Sequence, residues 1–297
     1  MIKSCINPHV SLYCNRKMKG ALKYIRESLK GLYDQPEIDS FYYLIIDQLL
    51  GYSKSDIITK PDTLLSASQF EEVKQIILRL SQFEPIQYIL GKTEFYGLPF
   101  IVEPGVLIPR FETEELVDCI VNENPVNEPI KILDIGCGSG CIAISLQKSF
   151  PNSAVWCCDI SDIAIEITNK NARLNSVDIH IGRFDILGNY PFPEGDFGII
   201  VSNPPYVTNK EKEMMSPNVL DYEPGLALFV PDNDPILYYR AILLKSHELL
   251  TPGGKIYFEI NESFGNEIRQ LFISEGFTAE IIRDINGKDR IVKGNKL

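Results

Sequence analysis

No segment of the 297-residue chain approaches the ~18–20 consecutive apolar residues of a membrane span. The opening stretch, MIKSCINPHVSLYCNRKMKG, has no apolar core of a secretory leader. Basic residues are in deficit, 29 Lys and Arg against 40 Asp and Glu, for a formal charge of −11. A protein that grips nucleic acid through its phosphates needs a net basic face. The balance therefore argues against direct nucleic-acid binding and against adsorption to anionic membranes, while favouring encounter with a basic macromolecule. The seven cysteines (5, 14, 119, 137, 141, 157 and 158) include no CxxC pair, so neither a metal site nor a disulfide framework is expected. Reduced thiols in a cytoplasmic protein are the simplest account, with Cys157 and Cys158 as small apolar fillers of a strand. No internal repeat or low-complexity segment occurs. The three histidines, His9, His180 and His247, stand in no chemical motif.

Hydrophobic residues make up 44% of the chain, enough for a sizeable core, and at ~150 residues per domain the length suggests about two domains. Residues 1–17 are polar and aperiodic and are expected to be a disordered extension, with Met18 as a possible alternative start. Residues 18–92 read as three or four amphipathic helices, on the recurrence of Ala21, Leu22, Ile25, Leu29 and Leu32, then Ile38, Phe41, Ile45 and Leu49, then Phe70, Val73, Ile77 and Leu80. Ser68 and Glu71 have the spacing of a capping box for the last of these. In TEFYGLPFIVEPGVLIPR, two aromatic and β-branched runs flank Pro104-Gly105, which predicts a β-hairpin linker over 93–112. From 113 onward the chain becomes a second domain. Helical TEELVDCIV precedes alternating strands and helices: KILDIG, AVWCCDIS, DIHIGRFD, FGIIVSNPP and GKIYFEI are strands, and TAEIIRDI and DRIVKG close the chain. Apolar strands separated by helices predict a parallel sheet covered on both faces.

Four segments carry chemistry. Asp134-Ile135-Gly136-Cys137-Gly138-Ser139-Gly140 joins the first strand to its helix, where glycines allow close backbone approach and the helix offers free N–H groups. The spacing is GxGxG, not the GxGxxG that reads a pyrophosphate, and suits an adenosine joined to an amino acid. Asp159 ends the second strand, where a carboxylate can accept both hydroxyls of a ribose; the other role open to it is N-cap of the next helix, which Ser161 could fill instead. Asp185 and Ile186 follow the third strand, where an adenine would be gripped, although Asp185 could equally cap a turn. Ser202-Asn203-Pro204-Pro205-Tyr206 follows the fourth strand. Its two prolines fix the backbone and expose carbonyls, Asn203 offers an amide oxygen, and Tyr206 a flat face. Together they can hold a planar amino group by both hydrogens and present its nitrogen to an electrophile.

DIGCGSG with SNPPY resembles a class I S-adenosylmethionine-dependent methyltransferase acting on a planar amino group. PIQYILGKTEFYGLPFIVEPGVLIPRFETEELV, DYEPGLAL, LTPGGKIYFEI and RDINGKDRIVKG further resemble the HemK/PrmC family of release-factor glutamine methyltransferases, over roughly residues 20–294. One departure is Phe111, where that family usually has proline. The resemblance implies an α/β fold, with a seven-stranded, mostly parallel Rossmann-like methyltransferase sheet, an antiparallel last strand, and a small N-terminal helical bundle that docks the substrate. It implies that Gly136, Cys137, Gly138, Ser139 and Gly140 wrap S-adenosylmethionine, with Asp134, two residues before them, as a further candidate, Asp159 on the ribose, and Ile186 and Asn203 also against the cofactor. Asn203 and the Pro204 carbonyl would bind the acceptor amide, with Pro205 and Tyr206 packed against it. Arg110, Glu112 and Thr113 would close over the site or form an ion pair of the linker, and Glu223 would be structural or line the substrate channel. The implied products are S-adenosylhomocysteine and N-methylglutamine, the partner a peptide-chain release factor, and the enzyme a monomer. A ribosomal-protein glutamine methyltransferase and, more remotely, an adenine or guanine nucleic-acid methyltransferase remain open alternatives at this point.

Overall fold

The computed structural model describes residues 16–188 and 195–297. Residues 1–15 of the expected extension lie outside them, whereas Lys17 forms a bridge with Leu64. Two compact units divide the chain after Leu90.

The first unit comprises α1 (Met18–Leu29), α2 (Gln35–Leu50), α3 (Lys54–Thr59), α4 (Ala67–Leu80) and α5 (Ile86–Leu90). The short α3 and α5 take it beyond the three or four helices expected. The anticipated stripes meet in one buried cluster that includes Ala21, Ile25, Phe41, Ile45, Val73 and Ile77. Leu32 lies past the end of α1 and is 40% exposed. The capping box is also displaced. Ser66 is the N-cap of α4: Gln69 N donates to Ser66 Oγ at 3.1 Å and Ser66 N to Gln69 Oε1 at 2.8 Å. Ser68 and Glu71 have the same spacing, but only the earlier start puts an apolar pair, Leu65 and Phe70, across the first turn, where both are buried.

The second unit opens with a hairpin of β1 (Lys92–Phe95) and β2 (Leu98–Ile101). Its turn is Tyr96-Gly97, with φ of 51° and 70°, not Pro104-Gly105. A two-residue turn with both φ positive matches the twist of the strands, but tyrosine in that conformation leaves no compositional signal. The hairpin expected as a linker is held on this unit: Tyr96 N donates to Glu114 Oε1 at 2.7 Å and Asn175 Nδ2 to Pro99 O at 2.8 Å.

There follow α6 (Phe111–Glu123), β3 (Lys131–Ile135), α7 (Cys141–Ser149), β4 (Ala154–Asp159), α8 (Asp162–Leu174), β5 (His180–Arg183) and β6 (Phe197–Ser202). Short β7 (Val207–Thr208), α9 (Pro217–Leu220), α10 (Gly225–Leu228) and β8 (Phe229–Val230) lead to α11 (Leu237–Leu249), β9 (Leu250–Glu259), α12 (Gly265–Ser274), β10 (Glu280–Arg283) and β11 (Asp289–Asn295). The main sheet has seven strands in the order β10-β11-β9-β6-β3-β4-β5. Neighbours from β9 to β5 are parallel, and β11 is antiparallel to both β9 and β10. One face buries against α6 and α7, the other against α11 and α12, so strands such as Phe197–Ser202 read as continuous apolar runs. Cys157 and Cys158 are buried fillers of β4. The chain leaves β3 for β4 and β5, then returns to β6 on the other side. That reversal opens a crevice at the carboxyl ends of β3 and β6. Among the described residues no helix is long and apolar enough to cross a membrane.

Candidate active site

The carboxyl ends of β3, β4, β5 and β6 surround a cleft of about 350 Å³. After β3 the chain passes through Gly136 and Gly138, with φ of 78° and 57°. Both line the cleft, and a Cβ on either would meet no protein atom within 4 Å. The loop is fixed from behind by Cys158 O, which accepts from Gly136 N at 2.8 Å and Cys137 N at 3.0 Å. Cys137 and Ser139 also line the cleft. Gly140 does not. It begins α7 with φ of 79°, and a Cβ there would stand 2.7 Å from Thr168 Cγ2, so this glycine serves the close packing of α7 on α8. Asp134 also lies outside the lining. It is fully buried beneath the loop, its Oδ2 accepts from Ala143 N at 3.2 Å, and burial pushes its pKa up to about 8.

Asp159 faces the cleft from the end of β4. Its Oδ2 accepts from Gly138 N and its Oδ1 from Ser161 N, both at 2.9 Å. Burial raises its pKa, and these backbone N–H groups oppose the rise. Ser161 caps α8, accepting from Ala164 N at 3.3 Å, so the capping role open to Asp159 is filled by its neighbour. A carboxylate oxygen bearing one N–H keeps a lone pair for a further donor. Phe184, Asp185 and Ile186 form the wall beyond β5, and Asp185 caps a turn as well, accepting from Leu187 N at 2.9 Å.

Asn203 stands where this cleft meets a smaller recess of about 50 Å³ walled by Leu107, Arg110, Tyr206, Val207 and Leu228. Pro204 and Pro205 line the large cleft, whereas Tyr206 faces only the recess. Asn203 Nδ2 donates to Thr113 Oγ1 at 3.1 Å, Thr113 Oγ1 to Glu259 Oε2 at 2.6 Å, and the Tyr206 hydroxyl to Glu259 Oε1 at 3.0 Å. Burial raises the pKa of Glu259, opposed by those two hydroxyls and by Arg290. Arg110 both walls the recess and pairs with Glu223, Nη2 to Oε1 at 2.5 Å, while Glu223 Oε2 accepts from Ile108 N at 3.1 Å. Glu112 lies on α6 outside both linings. Sequence reasoning did not single out Glu259, although an acid ending the apolar run GKIYFEI was a usable signal, nor Asn261, whose Nδ2 donates to Tyr206 O at 3.2 Å. His180 stacks on Trp156 at 4.1 Å and His247 lies 3.6 Å from Glu275, and neither lines the cleft or the recess.

A seven-stranded sheet with this order, a glycine loop after its first strand, an acid after its second and Asn-Pro-Pro-Tyr after its fourth defines a class I S-adenosylmethionine-dependent methyltransferase. The family models agree: residues 112–220 match the methyltransferase small domain and residues 20–91 the PrmC N-terminal domain. The release factor glutamine methyltransferase of Bacteroides thetaiotaomicron is 48% identical over 274 residues, covering 92% of this chain and 98% of that protein. That of Flavobacterium psychrophilum is 45% identical over 273 residues, covering 91% and 95%. The crystal structure of a methyltransferase from Pyrococcus furiosus shares the fold, with a TM-score of 0.50, 19% identity, and coverage of 68% of this chain and 90% of that one. The chain belongs to the release factor glutamine methyltransferase family, and its cofactor is S-adenosylmethionine. The cleft fits that cofactor. It has the volume of a small-molecule site, open space beside Gly136 and Gly138 for the amino-acid end, and a carboxylate, Asp159, with lone pairs free for hydroxyls.

Proposed function

We propose that the protein methylates the side-chain amide nitrogen of the glutamine in the GGQ motif of peptide-chain release factors. The observation that carries this reading is the position of Asn203, shared by the large cleft and the small recess. In this reading Gly136, Gly138 and Asp159 hold the cofactor, the recess takes the end of the glutamine side chain, and Asn203 stands between them. S-adenosylmethionine supplies an electrophilic methyl group and leaves as S-adenosylhomocysteine. An amide nitrogen is a poor nucleophile because its lone pair is delocalised into the carbonyl. Asn203 Oδ1 and Pro204 O accept its two hydrogens and aim the lone pair at the cleft, and Pro205 and Tyr206 keep those acceptors still. Orientation and preorganised acceptors then lower the barrier. The methylated nitrogen is strongly acidic and gives its proton to water, so no histidine or lysine base is needed. The helical first unit docks the release factor, and the enzyme works as a cytoplasmic monomer that binds no nucleic acid itself.

Labelled cofactor incubated separately with release factor, ribosomes and DNA tests the proposal, with peptide mass spectrometry to locate the added methyl. The label is expected on the GGQ glutamine. Label on DNA, or on a ribosomal protein and not the GGQ peptide, overturns it. Asn203→Ala should lower kcat by ~10²–10³ or more, the scale seen when one preorganised hydrogen-bond partner is lost, while the fold is retained.

A further inference from the structure

Glu259 ends β9 at the carboxyl edge of the sheet and is 1% exposed. A carboxylate so deeply buried persists only with partners, and Glu259 has two, the hydroxyls of Thr113 and Tyr206. Neither hydroxyl touches it by chance of rotation alone. Thr113 sits in the first turn of α6 and is itself 3% exposed, and Tyr206 is anchored through its own carbonyl by Asn261.

The direction of these bonds is what matters. Both oxygens of Glu259 act as acceptors, one from each hydroxyl, and a hydroxyl has one hydrogen and two lone pairs. Thr113 therefore gives its hydrogen to Glu259 Oε2 at 2.6 Å and has only lone pairs left for Asn203. Asn203 must turn its NH₂ toward Thr113, where Nδ2 lies 3.1 Å from Oγ1. Its oxygen is thereby left to face the opposite way. The two flipped orientations of an asparagine amide have nearly the same shape, so its partners alone decide which end points where. Given the reading of Asn203 as holder of the acceptor amide, that choice is decisive. An oxygen accepts a substrate N–H, whereas an NH₂ in its place would meet the substrate NH₂ donor to donor.

We propose that Glu259 and Thr113 are positioning residues that fix the hydrogen-bond direction of Asn203, so that its oxygen faces the substrate amide. Replacing Glu259 by glutamine, which can donate as well as accept, lets Thr113 accept from residue 259 and turn its hydrogen toward Asn203. The Asn203 amide is then free to flip.

The test uses the full chain with intact release factor and compares Glu259→Gln, Thr113→Val, Thr113→Ser and the double variant Glu259→Gln/Thr113→Val. The readouts are kcat, KM for release factor, cofactor Kd by calorimetry, and Tm. Glu259→Gln and Thr113→Val should each lower kcat, on the order of 10²-fold as for loss of a preorganised partner, with cofactor Kd unchanged in Glu259→Gln, whose side chain lines neither the cleft nor the recess. The double variant should fall no further than the worse single one, because both break one chain. Thr113→Ser keeps the hydroxyl and should keep kcat. Wild-type kcat in Glu259→Gln, losses that multiply in the double variant, or a Thr113→Ser loss equal to that of Thr113→Val would each overturn the proposal. If Glu259→Gln does not fold, the Thr113 pair decides alone. Wild-type protein that leaves the release factor unmethylated defeats the functional reading and this inference together; active wild type with unaffected variants defeats the inference only.

Discussion

Asp134 shows how a residue in a ligand-binding motif can serve the fold instead. It lies inside β3, where alternation sends its side chain under the glycine loop, and it is fully buried with its pKa raised by burial to about 8. In the unfolded chain an aspartate returns to about 3.9. Between those values the folded protein keeps a proton that the unfolded chain releases. The stability this carboxyl allows is thus complete below about pH 4 and declines as pH rises toward about 8. Asp134→Asn preserves an acceptor for Ala143 N and cannot ionise. Its advantage in unfolding free energy over wild type should grow from about pH 5 to about pH 8, by at most ~1.4 kcal/mol per pH unit. Urea titrations across that range measure it. An advantage that is flat with pH, or that grows as pH falls, would show that Asp134 is ionised in the folded state.

Among the elements, α8 illustrates what the sequence could and could not tell. Its existence and ends follow from DIAIEITNKNARL and the Ser161 cap. Its buried face does not, because Thr168, Asn171 and Asn175 are buried beside Ala164, Ile167 and Ala172, and polar residues on a stripe read as its margin. Asn171 is in fact a three-way tie. Its Oδ1 accepts from Ile101 N at 2.7 Å, and its Nδ2 donates to Ile101 O and Ser139 O, both at 2.9 Å. The hairpin and the glycine loop are joined through one side chain. Asn171→Ala should cost ~3 kcal/mol, since each buried group left unpaired costs ~1–3 kcal/mol and water can reach part of the half-buried Ile101. Amide exchange at Ile101 should quicken as well. A loss below ~1 kcal/mol with unchanged exchange would mean that water replaces the tie. The same division runs through the site. DIGCGSG and SNPPY were legible because their chemistry is local: backbone turns, a helix terminus, two prolines. Asn261 and the turn at Tyr96 were not, since each depends on a partner or a backbone angle supplied by distant chain, and Glu259 left only the mark of an acid in an apolar run, with its partners Thr113 and Tyr206 far off in sequence.

At the scale of the molecule, the chain divides into two compact units, and each has a core of its own. The helical unit buries one cluster, from Met18 to Ile86, and the sheet unit buries clusters on its two faces. Every residue lining the large cleft, from Gly105 to Ile242, belongs to the second unit. A ligand that binds only the folded state stabilises what must open to release it, by about 2.7 kcal/mol at a hundredfold excess over Kd. S-adenosylmethionine at that excess should therefore slow exchange of the slowest amides in β3 and β6 by roughly 100-fold. Amides of α1, α2 and α4 should keep their rates, because their protection comes from a core that the cofactor does not touch. Native-state hydrogen exchange on the full chain, with and without cofactor, separates the two cases. Equal slowing in both sets would mean that the helical unit opens only with the sheet, and that the cofactor holds the entire chain as one cooperative body.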